Sequence, residues 1–132
     1  EYIARSQVSV LVDSSAWIDY FQGMDDTDIL DHLLDEGLVV TNDLILAELM
    51  PPLKIRKARE LISLLHAVEK TPLTIDWAHI IDMQVCCVKN GINKVGIPDL
   101  IIAQNAVQNS LDLFTVDGHF KLMSKHIHLS LY

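Results

Sequence analysis

The fold is decided by residues 96–120, GIPDLIIAQNAVQNSLDLFTVDGHF. Its first half is a helix signal: Pro98 belongs in an opening turn, where its missing N–H is harmless, and an apolar run follows. Its second half is a short strand at residues 113–116, LFTV, after which Asp117-Gly118 turns the chain. Helix, strand and turn in that order make half of a βαβ unit. Each half carries an acid at a boundary, Asp99 opening the helix and Asp117 ending the strand.

Working outward, the same alternation recurs. Residues 8–12, VSVLV, predict a first strand that runs straight into Asp13. A short helix is expected over 14–22 with Gly23 as its stop, a second over 26–36, and a strand over 38–41. Asn42 caps a helix, DLILAELM, that the Pro51-Pro52 pair is expected to stop. An amphipathic helix over 54–69, from the spacing of Ile55, Ala58, Leu61, Ile62, Leu65 and Val68, and a strand at 72–75 come next. Asp76 then caps a long helix ending at Gly91, and after Asp117 a short helix and a final short strand complete the chain. The expectation is an α/β protein of three layers, α/β/α, around a mostly parallel sheet of about five strands with six or seven helices. Such sheets bind ligands beyond the carboxyl ends of their strands.

The chain of 132 residues reads as one domain over 1–132, with no repeat or linker. Half of it is apolar and 21% is charged, an excess of grease that suits a covered interface. The opening EYIARSQ has neither an initiator Met nor a signal-type apolar segment and reads as a trimmed end. No apolar run reaches the length of a membrane span. Cys86 and Cys87 are adjacent and read as buried free thiols in a reducing cytoplasm. The net charge of −8, from 18 acids and 10 bases, argues against phosphate binding through Lys and Arg. A bound cation reverses that argument locally, so motifs must decide.

Four carboxylates are singled out. Asp13 ends a buried strand, though it also stands where a helix cap belongs. Glu48 is the one charge in LILAELM, and a carboxylate on so apolar a helix is costly unless it stays exposed or meets a metal. Asp99 suits the positive end of a helix dipole, and Asp117 is half of a common turn dipeptide. Each alone has an ordinary structural explanation. Together, at one edge of one sheet, they would repel by about 4 kcal/mol per close pair at an effective dielectric near 20. Such a cluster persists if acids hold protons or a cation sits among them, and oxygen ligands select a hard ion, Mg²⁺ or Mn²⁺. His119 is read as a surface residue on the turn, because no second His or Cys accompanies it at metal spacing.

These stretches, LVDSSAWIDYF, NDLILAEL and GIPDLIIAQNAVQNSLDLFTVDGHF, resemble the PIN-domain family, in particular the VapC-like toxins of prokaryotic toxin–antitoxin pairs. The resemblance runs from Val10 to about Phe120, and T-x-D-x-x-F is its most specific part. It implies that Asp13 and Asp99 are the two principal metal-binding aspartates, Glu48 the helix glutamate and Asp117 the fourth acid. Ser15 and Thr115 match the hydroxyls that support the site. It further implies a homodimer, Mg²⁺- or Mn²⁺-dependent endoribonuclease activity on RNA, and a cognate antitoxin that blocks the active-site groove. Two departures stand out: Asn42-Asp43 where relatives often have Ser or Thr, and Gln104 in place of a small residue.

With no positioned His pair, attack by water is expected rather than attack by the 2′-hydroxyl, leaving 5′-phosphate and 3′-hydroxyl ends. Lys54, Arg56, Lys57 and Arg59 read as a solvated helix face, and Lys94, just before the Asp99 motif, is the candidate phosphate contact. A PIN fold kept only for binding is the alternative. A receiver-type signalling domain is weaker, since no strand ends in the Lys it requires and Glu48 has no role there.

Overall fold

The computed structural model describes residues 8–24 and 27–132; the opening EYIARSQ and the start of the expected second helix lie outside them. Strand β1 (Val10–Val12) leads to α1 (Ser14–Phe21) and α2 (Thr27–Asp35). Strand β2 (Val39–Thr41) is followed by α3 (Asp43–Ile55) and α4 (Arg59–Ala67), then β3 (Glu69–Lys70) and α5 (Trp77–Lys89). Helix α6 (Ile97–Gln108), β4 (Asp112–Phe114) and α7 (Gly118–Met123) complete the order. The four strands form one sheet in the order β3-β2-β1-β4, and every pair is parallel. The α/β expectation therefore holds, with four strands among the described residues in place of about five. The expected final strand is reduced to a single parallel bridge between Leu113 and Leu131.

The centre of the sheet is dry. Val10, Leu11 and Val12 are buried, as are Trp17 of α1, Leu113 of β4 and Phe120 of α7. A parallel sheet covered on both faces requires such uninterrupted apolar strands. Helix α6 goes further, since Leu100 to Ala106 are all buried, Gln104 and Asn105 included. Buried amides need partners, and both have them. Gln104 Nε2 donates to the Asp76 carbonyl at 3.0 Å, and its Oε1 accepts the Asp76 N–H at 3.0 Å. Asn42 Nδ2 donates to Asn105 Oδ1 at 2.9 Å, while Asn105 Nδ2 donates to the Pro72 carbonyl at 3.0 Å. The two departures noted in the sequence are thus explained: they tie α6 to the starts of α3 and α5.

Several boundaries differ from expectation. Helix α3 does not stop at the prolines but runs through Pro51 and Pro52 to Ile55. The carbonyls those prolines leave without an N–H partner belong to Ala47 and Glu48, both on the exposed side, where water replaces the lost bonds. Buried Leu49, Met50 and Leu53 hold the helix on its inner side. The helix expected over 54–69 is consequently split. Lys57 sits in the left-handed region at φ 56°, α4 starts at Arg59, and Ile55 is 83% exposed rather than part of an apolar stripe. The strand expected at 72–75 lies at Glu69–Lys70 instead, paired with Val40 and Thr41. Pro72 has no N–H to extend that ladder, which ends with Thr71 N–H donating to the Thr41 carbonyl at 2.8 Å. Both cysteines are free, Cys87 buried and Cys86 half-buried.

Candidate active site

Strand β1 pairs with β2 on one side and β4 on the other, so the connections leave it in opposite directions. In an open α/β sheet this switch point opens a crevice beyond the strands' carboxyl ends. Asp13 stands there, its N–H donating to the Phe114 carbonyl at 2.9 Å. It occupies the N-cap position of α1, yet its side chain caps nothing. Asp13 as a residue is 3% exposed, and its carboxylate is held by hydroxyls instead. Ser15 Oγ donates to Asp13 Oδ2 at 2.6 Å and Thr115 Oγ1 donates to the same oxygen at 3.0 Å. Oδ1 meets only Ser14 Oγ, at 3.5 Å, which leaves it as the oxygen with spare lone pairs. Because β4 ends at Phe114, Thr115 has left the ladder, and its hydroxyl is available to Asp13.

Ser14 also reaches the second acid, donating to Glu48 Oε1 at 3.2 Å. Glu48 projects from the exposed side of α3 toward this hydroxyl. Its carboxyl is nevertheless pushed above the usual carboxylate range by lost hydration first, and then by the charges of Asp13 and Asp99, with the Ser14 bond opposing. Asp99 lies in the first turn of α6, half-buried. Its carboxyl is pushed up too, by lost hydration and then by Asp117 and Asp13; the Gly96 amide and His119 act in the opposite direction. Asp117 caps α7, its Oδ1 accepting the His119 N–H at 2.9 Å, while its own N–H donates to Thr115 Oγ1 at 3.0 Å. Capping α7 in this way, where the sequence suggested only a turn, leaves Oδ2 without a partner among the described residues.

Ser14 links Asp13 to Glu48, Thr115 links Asp13 to Asp117, and Asp117 lies beside Asp99, so the four sequence-predicted acids, with Ser15 and Thr115, gather at the carboxyl end of β1. Lys94 does not join them. It is exposed, in left-handed backbone at φ 67°, with no hydrogen bond or ion pair to the acids among the described residues. His119 corrects the reading of a plain surface residue. Its Nδ1 lies 3.2 Å from Asp117 Oδ1, and Asp99, Asp117 and His119 each offer a ligand atom within 4.8 Å of the others. Only the cap geometry reveals this: a residue whose amide is held by Asp117 is also held close enough for its ring to turn back. Mutually repelling carboxylates, each with an unused oxygen, fit a hard divalent cation.

A family model described as the PIN domain matches residues 10–125. The chain belongs to the PIN-domain family. No curated protein matches the sequence. Among solved structures, this PIN domain resembles the DNA-bound VapBC of Salmonella typhimurium with a TM-score of 0.74 at 15% identity, over 96% of this chain and 98% of that one. The DNA-bound VapBC2 of Rickettsia felis follows at 0.69 and 18% identity, covering 93% and 96%. FitAcB of Neisseria gonorrhoeae matches at 0.63 and 16%, also covering 93% and 96%. At such identities the likeness speaks for the fold. Among the described residues, no helix of this PIN domain is long and apolar enough to cross a membrane.

Proposed function

We propose that this PIN domain is a Mg²⁺- or Mn²⁺-dependent endoribonuclease, the cytoplasmic toxin of a toxin–antitoxin pair. One observation carries the reading: a carboxylate, Asp13, is buried at the sheet's switch point with its Oδ2 doubly hydrogen-bonded and its Oδ1 met by the Ser14 hydroxyl alone among the described residues, at 3.5 Å. Burying a charge in this way is costly, and a fold has no use for it unless a cation or a reacting group completes the site. Asp13, Glu48, Asp99 and Asp117 are the residues that would hold the ion. When bound, it supplies charge to offset the phosphate oxygens and acidifies a water.

The chain's own residues do the rest. Ser15 and Thr115 fix the Asp13 carboxylate in one orientation, and preorganised charge of this kind needs no rearrangement during reaction. Glu48, at the exposed lip, is the acid placed to accept a proton from an incoming water, and lost hydration raises its affinity for protons. Water adds to phosphorus, the bond to the 3′-oxygen breaks, and that oxygen leaves with a proton. The products are a 5′-phosphate and a 3′-hydroxyl; ends bearing 2′,3′-cyclic phosphate would rule this route out.

A groove of about 300 Å³ between α1 and α3 adjoins the acids, with Ile18, Phe21, Leu49 and Leu53 on its walls and Glu48 at its edge. An apolar antitoxin segment seated there would cover Glu48 and shut the site. The exposed apolar side of α5, with Trp77, Ile81, Val85 and Val88, is the surface we assign to the homodimer. The test of the nuclease reading is cleavage of structured RNA by partner-free protein with Mg²⁺ or Mn²⁺, beside Asp99→Asn and a chelator control. Cleavage that needs both metal and Asp99 supports it. Wild type indistinguishable from the variant on every RNA would leave a binding role in its place.

A further inference from the structure

We propose that His119 supplies a nitrogen ligand to the ion held by Asp99 and Asp117, and that this nitrogen makes the site prefer Mn²⁺ over Mg²⁺. The inference rests on the metal-dependent reading above and specifies which ion that site is built for.

Two observations converge on the imidazole. A ring nitrogen of His119 lies within 4.8 Å of a carboxylate oxygen from each of Asp99 and Asp117, a spread that side-chain shifts of about half an ångström close onto one ion with bonds of about 2.1 Å. The ring is held in place rather than free on a turn. Asp117 Oδ1 accepts the His119 backbone N–H at 2.9 Å and faces ring Nδ1 at 3.2 Å, so main chain and side chain are tied to the same carboxylate. Asp13 and Glu48 lie outside this triplet and are joined to each other through Ser14 Oγ. The site is thus two-sided, with oxygens alone on the Asp13–Glu48 side and mixed oxygen and nitrogen on the Asp99–Asp117–His119 side.

The choice of ion follows from ligand chemistry. Mg²⁺ takes oxygen ligands and keeps its waters, gaining little from an imidazole. Mn²⁺ accepts the same carboxylates and, standing on the transition-metal series, also gains from a nitrogen donor. Zn²⁺ would be drawn by further nitrogen or sulfur donors, and no other His or Cys belongs to this group among the described residues.

Electron paramagnetic resonance of Mn²⁺ bound to the full chain tests this without any substrate. Wild type is expected to show nitrogen modulation from a directly bonded imidazole, absent in His119→Gln. In parallel Mn²⁺ and Mg²⁺ titrations, His119→Gln is expected to lose roughly tenfold in Mn²⁺ affinity while Mg²⁺ affinity changes little. His119→Asn, with a shorter polar side chain, serves as the second variant, and thermal melts establish that each is folded. Mn²⁺ bound without a nitrogen signal, or an unchanged Mn²⁺-to-Mg²⁺ ratio in both variants, overturns the role of His119 alone. Wild type that binds neither ion overturns the metal-dependent reading with it.

Discussion

Replacing Asp99 by Asn should stabilise the metal-free protein while abolishing its stabilisation by metal. The oxygens of Asp99 and Asp117 lie within 4.8 Å. At that separation two unit charges repel by about 3.5 kcal/mol at an effective dielectric of 20, and about 0.9 kcal/mol in bulk water. Asp99 is half-buried, so we take about 1–2 kcal/mol. Asn also gives up the favourable interaction of an acid with the start of α6, about 0.3–1 kcal/mol. The net gain is about 1 kcal/mol, or a rise of roughly 2–6 °C in Tm for a domain of this size. The sign has a pH signature. An acid whose folded-state pKa is raised adds stability while protonated, and that stability is lost as pH climbs from the ordinary carboxylate range through the raised value. Wild type should therefore lose stability over that interval more steeply than the variant. Mg²⁺ at a hundredfold excess over its Kd should restore about 2.7 kcal/mol to wild type and leave Asp99→Asn nearly unmoved. Calorimetric melts in chelator and in Mg²⁺, from acid to neutral pH, read all of this out. The reasoning is refuted if the variant melts lower than wild type without metal, or gains as much from Mg²⁺.

Further outcomes follow from particular contacts. Thr115→Val removes the hydroxyl shared by Asp13 Oδ2 and the Asp117 N–H; melts should show a loss of about 1.5–3 kcal/mol, with weaker Mg²⁺ binding by calorimetry. Asn42→Ala strips both the cap on Ile45 N–H and the bond to Asn105, and about 2 kcal/mol should disappear from chemical denaturation curves. Ile81→Asp on the exposed side of α5 should give monomers by sedimentation where wild type gives dimers; monomeric wild type would show that this face is not the interface. The Tyr20 phenol is pushed up to about 12, first by its hydrogen bond to Asp31, then by burial and the charges of Asp31 and Asp35. Its contribution is present below the ordinary tyrosine pKa of about 10 and fades as pH rises to about 12, so Tyr20→Phe should delete the latest step in an ultraviolet phenolate titration.

Periodicity and boundary residues sufficed to read the alternation of strands and helices, because those signals are local. A buried strand is written as an apolar run such as VSVLV, and a helix start as Asn42, Asp76 or Pro98. The same signals picked out Asp13, Glu48, Asp99 and Asp117, since a lone acid against an apolar background is visible without knowing its neighbours. Local rules failed where distant packing overrode them. Pro51 and Pro52 stop a helix in isolation, but buried Leu49 and Leu53 on one side and solvent on the other carry α3 past them.

What only the tertiary structure decided is which groups face each other. The bond from Ser14 to Glu48 spans 34 residues and that from Thr115 to Asp13 spans 102, and no local pattern encodes either. The strand order β3-β2-β1-β4 creates them by setting the ends of β2 and β4 on either side of the end of β1. It also turned His119 from a turn residue into a neighbour of two acids, and Gln104 and Asn42 from oddities into satisfied buried partners. Sequence determines which side chains a site can draw on; chain folding brings their charges within a few ångströms, where repulsion becomes strong enough to call for a cation.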